Sequence, residues 1–303
     1  MTAEPSTRRH FDPIGLLMVM GSAISFALTP TLNRLAYDAG SDVSSLVTVR
    51  FVVTVPALLV AILILGRSLK IGMRGWRNSA IVGVLMALTA YGYIAAVAYI
   101  PVSLSSLIFY TFPIIVGLAA TFVNNEPLTP LRLTMLAAAF AGLVLALGVT
   151  FDTLDPRGLG FAFLGAVCAA GSVMWSGRTL GSHDTVVTTF HMMAVACVLA
   201  VLAQLWEGPL RLPQTGLGWI GFFGNAAFYC LGLVGFFAGI ARVGAIPASM
   251  VSNVEPIVSI LFAMTMLGEW LSWLQWTGVA LVIAAVLAMA ESDRRRAQQL
   301  SRA

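Results

Sequence analysis

The run LVTVRFVVTVPALLVAILILG, residues 46–66, contains one charge in 21 positions. Stretches like it recur from one end of the chain to the other. About 20 such residues wound as an α-helix cross the roughly 30 Å hydrocarbon core of a bilayer. Only 10% of the 303 residues are charged, against roughly 25% in a soluble domain. The pattern therefore specifies a polytopic membrane protein. The formal charge of +4 is no argument for a nucleic-acid partner, because the basic residues cluster in loops, as orientation signals do. Cys168, Cys197 and Cys230 lie inside apolar runs without metal-ligand spacing. They read as small core residues, with no disulfide expected. The first run follows MTAEPSTRRHFDP with no small-residue cleavage site, so it reads as a retained helix and not a signal peptide.

Marking the runs predicts ten helices at residues 14–36, 43–66, 79–99, 104–123, 130–150, 158–178, 187–206, 217–240, 248–268 and 272–290. Short loops make successive helices antiparallel neighbours. Thr129 before Pro130, and Ser272, are the expected N-caps of the fifth and tenth helices. With the N-terminus inside, thirteen arginines and lysines fall on the cytoplasmic side, Arg67, Lys70, Arg74, Arg77 and Arg242 among them. Arg34, Arg157 and Arg211 fall outside. That bias puts both termini in the cytoplasm.

Displaced by 143 residues, the sequence meets itself. Asp12, Pro13 and Gly15 fall on Asp155, Pro156 and Gly158, and Gly75-Trp76 falls on Gly218-Trp219. Pro113 meets Pro256, Glu126 meets Glu269, and Thr134 meets Thr277. Apolar composition matches Leu to Ala by accident, but not Trp, Pro, Asp and Glu in one register. Five helices per copy is an odd number, so the second copy enters from the opposite face. The expected fold is an all-α membrane protein of ten transmembrane helices arranged as two inverted five-helix repeats. Its expected divisions are a cytoplasmic segment 1–12, a first repeat 13–150, a second repeat 156–290 and a basic tail 291–303. Inverted repeats suit secondary transporters, whose near-equivalent halves can form inward-open and outward-open states about one central site.

The segments YTFPIIVGLAATFVNNEPLT (110–129) and NVEPIVSILFAMTMLGEWLS (253–272) carry a resemblance to the EamA-type branch of the drug/metabolite transporter superfamily. Arg50, in VTVRFVV, sits where that family often has an arginine in its second helix. The resemblance covers about residues 13–290. It implies a ten-helix carrier of small metabolites, often an exporter of amino acids or related compounds, with helices 4 and 9 lining the cavity. The chain departs from the family at Ser22-Ala23, where Trp-Gly is common.

Glu255 lies about 12 Å into the core by helical rise. Facing lipid, a carboxylate would cost several kcal/mol or neutralise itself, so it should face the bundle interior. It can exchange protons, balance an amino or cationic solute, or pin helices together. Arg50 is the partner to test. It reads as an interhelical staple, or as the ligand of a substrate carboxylate. Both charges are asymmetric choices, since their mates are Phe112 and Met193. Glu126 and Glu269 close their spans, and each suits the positive end of the helix that follows. A band of Tyr91, Tyr93, Ser106, Tyr110, Phe112, Ser249, Ser252 and Asn253 should line the cavity. Pro113 and Pro256 should kink helices 4 and 9. Asn225 and Trp175 are weaker cavity candidates, and His191 reads as a satisfied interface residue. Gly235-x-x-x-Gly239 implies close helix packing and says nothing of dimers.

The sequence has no Walker motif. Its three histidines, His10, His183 and His191, make neither a zinc site nor a catalytic dyad, so no enzyme and no cofactor is expected. A receptor or scaffold has no need of inverted halves. The expectation is an alternating-access carrier in the cytoplasmic (inner) membrane that exports amino acids or related compounds, with proton coupling through Glu255 an option. An importer, or a multidrug or cationic-compound efflux carrier, is the alternative. The partners expected are a small-molecule substrate and membrane lipid, with monomer and homodimer both open.

Overall fold

In the computed structural model of the chain, the residues described are 12–112, 115, 116, 119, 130–147, 155–180, 184–243, 251 and 254–300. Ten helices are described: α1 (Pro13–Asp38), α2 (Val43–Ile64), α3 (Gly72–Tyr99), α4 (Val102–Phe109) and α5 (Pro130–Leu147), then α6 (Pro156–Leu180), α7 (Thr185–Glu207), α8 (Gly216–Val243), α9 (Glu255–Leu267) and α10 (Trp273–Leu300). There is no strand among the described residues. Six helices, α1, α2, α3, α6, α7 and α8, are long and apolar enough to cross a membrane, and shorter apolar stretches run over Ile257–Leu267 and Trp273–Ala285. The outer faces are apolar, with Leu17, Ile64 and Leu205 at least 70% exposed. Side chains this greasy cover a surface only where the solvent is lipid.

Side-chain caps set the helix starts. The Asp12 carboxylate accepts from the Ile14 and Gly15 N–H groups at 3.0 and 3.2 Å. Asp42 accepts from Ser45 N–H at 2.9 Å, and Asp184 from Val186 and Val187. Ser272 opens α10 in a reciprocal box: Gln275 N–H donates to its Oγ, and its own N–H donates to Gln275 Oε1. Such boxes satisfy donors that the helix itself leaves unpaired. The Gly15 N–H holds the Asp12 carboxyl below its ordinary pKa range, and the Arg157 side chain does the same for Asp155. Helices α1, α3 and α10 run past their expected limits because polar residues continue the helix beyond the hydrocarbon, where hydropathy no longer marks it. The helix α10 continues through the expected basic tail to Leu300.

Glycine decides which helices touch. Along α1 and α8, Gly239 meets Gly15 and Val19, Gly232 meets Phe26, and Gly218 meets Ala39, so the two run antiparallel. Along α3 and α6, Gly171 meets Leu85, Gly165 meets Thr89 and Tyr93, and Gly158 meets Ile100, again antiparallel. The 143-residue displacement carries α1 onto α6 and α8 onto α3, so the second interface repeats the first. The third glycine seam joins α5 to α10: a Cβ built on Gly142 would lie 2.8 Å from the Gly278 carbonyl oxygen. Backbones that close can pack tightly without a hydrophobic driving force, which lipid does not provide.

Ion pairs gather at the two ends of the bundle. Arg67–Asp184 and Arg242–Asp12, each 3.2 Å, lie at one end with exposed Lys70, Arg74 and Arg77. This is called the basic end below. Arg34–Asp38, Arg157–Asp155 and Arg211–Asp42 lie at the opposite, far end. Such exposed pairs contribute about 0–1 kcal/mol each and mark the water boundary more than they hold the fold. The packing of the seams is tested by Gly142→Val, expected to lower stability by about 1–3 kcal/mol through overpacking, read as the unfolding midpoint in detergent. Gly160→Ala, where a Cβ would meet nothing within 4 Å, should not lower it and gains helix propensity.

Candidate functional site

Helices α4 and α9 are both interrupted at mid-depth. The run of α4 ends at Phe109 and turns at Tyr110 and Thr111 before helical geometry resumes at Phe112. The helix α9 begins at Glu255, directly after a turn at Val254. Thr111 and Val254 are mates under the 143-residue displacement. Pro256 therefore occupies the first turn of a helix, where its missing N–H costs nothing, and does not kink a continuous span as expected. The break leaves the positive end of α9 at Glu255, where a carboxylate is favoured.

The two interruptions face each other across a polar seam. Tyr93 of α3 bonds Ser106 of α4 at 2.9 Å, and Ser106 bonds Ser259 of α9 at 2.9 Å, so three hydroxyls link both halves. The Tyr110 hydroxyl lies beside the Glu255 carboxyl. Tyr93 stacks on Phe109 at 4.4 Å between ring centroids, and Phe112 packs against Phe109 and Tyr110 at 5.7 and 6.5 Å. The result is an aromatic wall with a hydroxyl ladder and one acid.

Arg50 is 3% exposed. Its Nε and Nη2 both donate to Asn225 Oδ1, and its guanidinium lies 4.6 Å from the centre of the Tyr229 ring. Tyr37, Tyr93 and Tyr229 all lie within reach of its charge. Among the described residues no carboxylate pairs with Arg50 and no cation pairs with Glu255. The expected partnership of the two is not formed. Tyr93 lies within the field of each. A neutral amide and an aromatic face hold the guanidinium in place without cancelling its charge.

Of the expected cavity residues, Tyr93, Ser106, Tyr110 and Phe112 come together, with the expected charge residue Glu255 beside Tyr110. Tyr91 does not. Two positions along α3 turns it to the other face, where it packs edge-on against Phe161 of α6 at 6.2 Å. Ser249, Ser252, Asn253, Pro113, Glu126 and Thr129 lie outside the described residues. Glu269 is a cap, but not of the helix that follows it. Its carboxylate accepts from Val102 N–H, Ser103 N–H and Ser103 Oγ at 2.9–3.0 Å, at the start of α4 in the other half; Ser272 already caps α10. His191 Nε2–H donates to the Leu69 carbonyl at 2.8 Å, as an interface residue. Gly235 and Gly239 serve the α1 contact within the chain. Ser22 bonds the Gly232 carbonyl at 2.6 Å, a helix tie that a Trp there would not make. Trp175 packs against the apolar core around Phe51 and Met193. Ser259 and Tyr229 escaped sequence reasoning, although each lies one turn beyond a residue already singled out, Glu255 and Asn225.

These features define a polytopic helical membrane protein in which one helical unit occurs twice around a polar centre. The sequence model of the EamA-like transporter family matches residues 13–148 and again 156–290. The chain belongs to that family and is a membrane transporter. A crystal structure covering 93% of this chain and 98% of its own superposes with a TM-score of 0.63 at 19% identity, a likeness of fold alone. No curated protein matches the chain.

Asn225→Leu removes the acceptor of both Arg50 hydrogen bonds and should cost on the order of 2 kcal/mol, seen as a lowered unfolding midpoint. Asn225→Asp, which supplies a counter-charge, should retain or raise that midpoint.

Proposed function

We propose that the protein is a secondary carrier exporting amino acids or related small metabolites across the cytoplasmic (inner) membrane by alternating access. Residues 13–150 and 156–290 form two five-helix repeats inserted in opposite senses, ten spans in all, with both termini in the cytoplasm. The antiparallel registers of α1 with α8 and α3 with α6 support this, because they set α1 and its mate α6 running opposite ways. The basic end is the cytoplasmic face by charge bias. Interrupted helices that meet at mid-depth are a common way for carriers to present helix ends to a solute.

The observation that carries the reading is the pair of opposite charges, Arg50 and Glu255, that are not paired with each other and both lie within electrostatic reach of Tyr93. Each is expensive in a membrane core without a partner. A zwitterion with a carboxylate and an ammonium group complements both, whereas a purely cationic compound would be repelled by Arg50. Burial becomes more open past the α4 interruption: residues 102–108 are all buried, while Thr111, Phe112, Ile115, Val116, Val251 and Glu255 are partly accessible. The accessible side is the basic end, as in a cytoplasm-facing state ready to load an export substrate. Glu255, which has the Tyr110 hydroxyl as a neighbour, would exchange protons with that side.

In reconstituted vesicles, amino-acid efflux by the unaltered protein should vary between about pH 5 and pH 8 as a partly buried carboxyl titrates. Glu255→Gln should be slower and nearly flat across that range. Equal rates for the two proteins at every pH would remove Glu255 from the coupling step.

A further inference from the structure

We infer that Glu269 is a gate residue of the transport cycle, latching the far end of the central site by gripping the first turn of α4 across the two halves. The inference rests on the alternating-access reading above. The helix α4 starts after Pro101 with no side-chain cap of its own, which leaves its first N–H groups without partners. An ordinary N-cap comes from the residue immediately before the helix. Here the acceptor comes from 166 residues away. Glu269 Oε1 takes the Val102 N–H at 2.9 Å, while Oε2 takes the Ser103 N–H at 3.0 Å and the Ser103 hydroxyl at 2.9 Å. Gly268, in the left-handed region at φ 70°, ends α9 and turns the carboxylate back toward α4.

The joined helices are the two that carry the polar seam. Ser106 lies one turn past Val102 and Ser103 on α4, and Ser259 and Glu255 precede Glu269 along α9. The latch therefore ties these helices together on the far side of the seam. Behind it Val97, Val102 and Ala263 form an apolar plug with Tyr37 and Leu267, and the Tyr37 hydroxyl and Arg34 guanidinium hold the α3 carbonyls of Ile94 and Val97. Residues 102–108 are buried in consequence. Alternating access requires this end to open, and α4 cannot move from α9 without breaking all three Glu269 bonds. A cavity of about 180 Å³ lies beside them, lined by Pro101, Ser103, Leu104, Leu107, Glu269 and Gln275. It gives the first turn of α4 room to shift. A charged acceptor on a helix N-terminus suits this task, because water can take over its bonds when the contact parts.

The test uses the full-length protein in sealed vesicles, with Cys168, Cys197 and Cys230 replaced by Ala and a single reporter, Ser105→Cys, one turn below the latch and fully buried. A membrane-impermeant thiol reagent is applied from the far side. The carboxylate bonds should protect the reporter, and Glu269→Gln should raise its labelling rate by about tenfold, the worth of a charged hydrogen bond. Ser103→Ala, which removes one bond of the three, should raise it by a smaller factor. An unchanged rate in both variants, each eluting as a folded monodisperse protein, overturns the latch. Should Glu269→Gln fail to fold, Ser103→Ala and Glu269→Asp decide the matter by the same readout. The reporter protein with Glu269 and Ser103 intact separates the latch from the carrier reading. If a mixture of the common amino acids changes its reporter labelling, the protein switches faces whatever Glu269 does; if it does not, the carrier reading fails first.

Discussion

Hydrocarbon does not solvate a polar group, and the rest of this structure follows from that refusal. Every backbone donor must be met within the protein, so among the described residues the apolar spans are helix apart from the turns at Tyr110–Thr111 and Val254. At the break after α4, Phe109, Tyr110 and Phe112 pack on one another, and Ser106 and Ser259 tie α4 to α9. The same constraint sorts the charges. Exposed ion pairs collect at the two ends, and the two charges that stay inside, Arg50 and Glu255, are wrapped by an amide, hydroxyls and tyrosine rings.

Without a hydrophobic drive between helices, close approach has to come from small residues. Three glycine-lined seams supply it, and two are copies of each other under the 143-residue displacement. On the proposed reading, a fold built from such a pair is close to two alternative arrangements, since whatever one half does at one end the other can do at the opposite end. Glu269 illustrates the division of labour: rigid apolar seams hold α1 to α8 and α3 to α6, while a water-replaceable hydrogen-bonded grip holds α4 to the end of α9. Stable walls and a releasable contact are what a carrier needs.

Much of this was legible in the sequence. The Asp12/Asp155 and Gly15/Gly158 matches gave the duplication, and helix starts repeat at the same interval, Pro13 with Pro156 and Pro130 with Trp273. Glu255, Tyr93, Ser106 and Tyr110 were found as a group because polar residues are rare enough in such spans to stand out. What failed was pairing at a distance. Arg50 goes to Asn225 and Tyr229 and not to Glu255, and Glu269 caps a helix in the other half. Neither partner is visible from local spacing, because the register between halves is set by glycine contacts that no single segment encodes. Tyr91 shares the depth of that band but not the face of Tyr93, because two residues along a helix point in nearly opposite directions. Pro256 was misread because its effect depends on whether the helix already stops before it.

The central claim is that the two copies cross the membrane in opposite senses around a shared polar centre. The most direct measurement is side-specific labelling of single cysteines at the mated positions Asp12 and Asp155 in sealed vesicles of known orientation. The account predicts that position 12 reacts only from the cytoplasmic face and position 155 only from the external face. Labelling of both from the same face would contradict it.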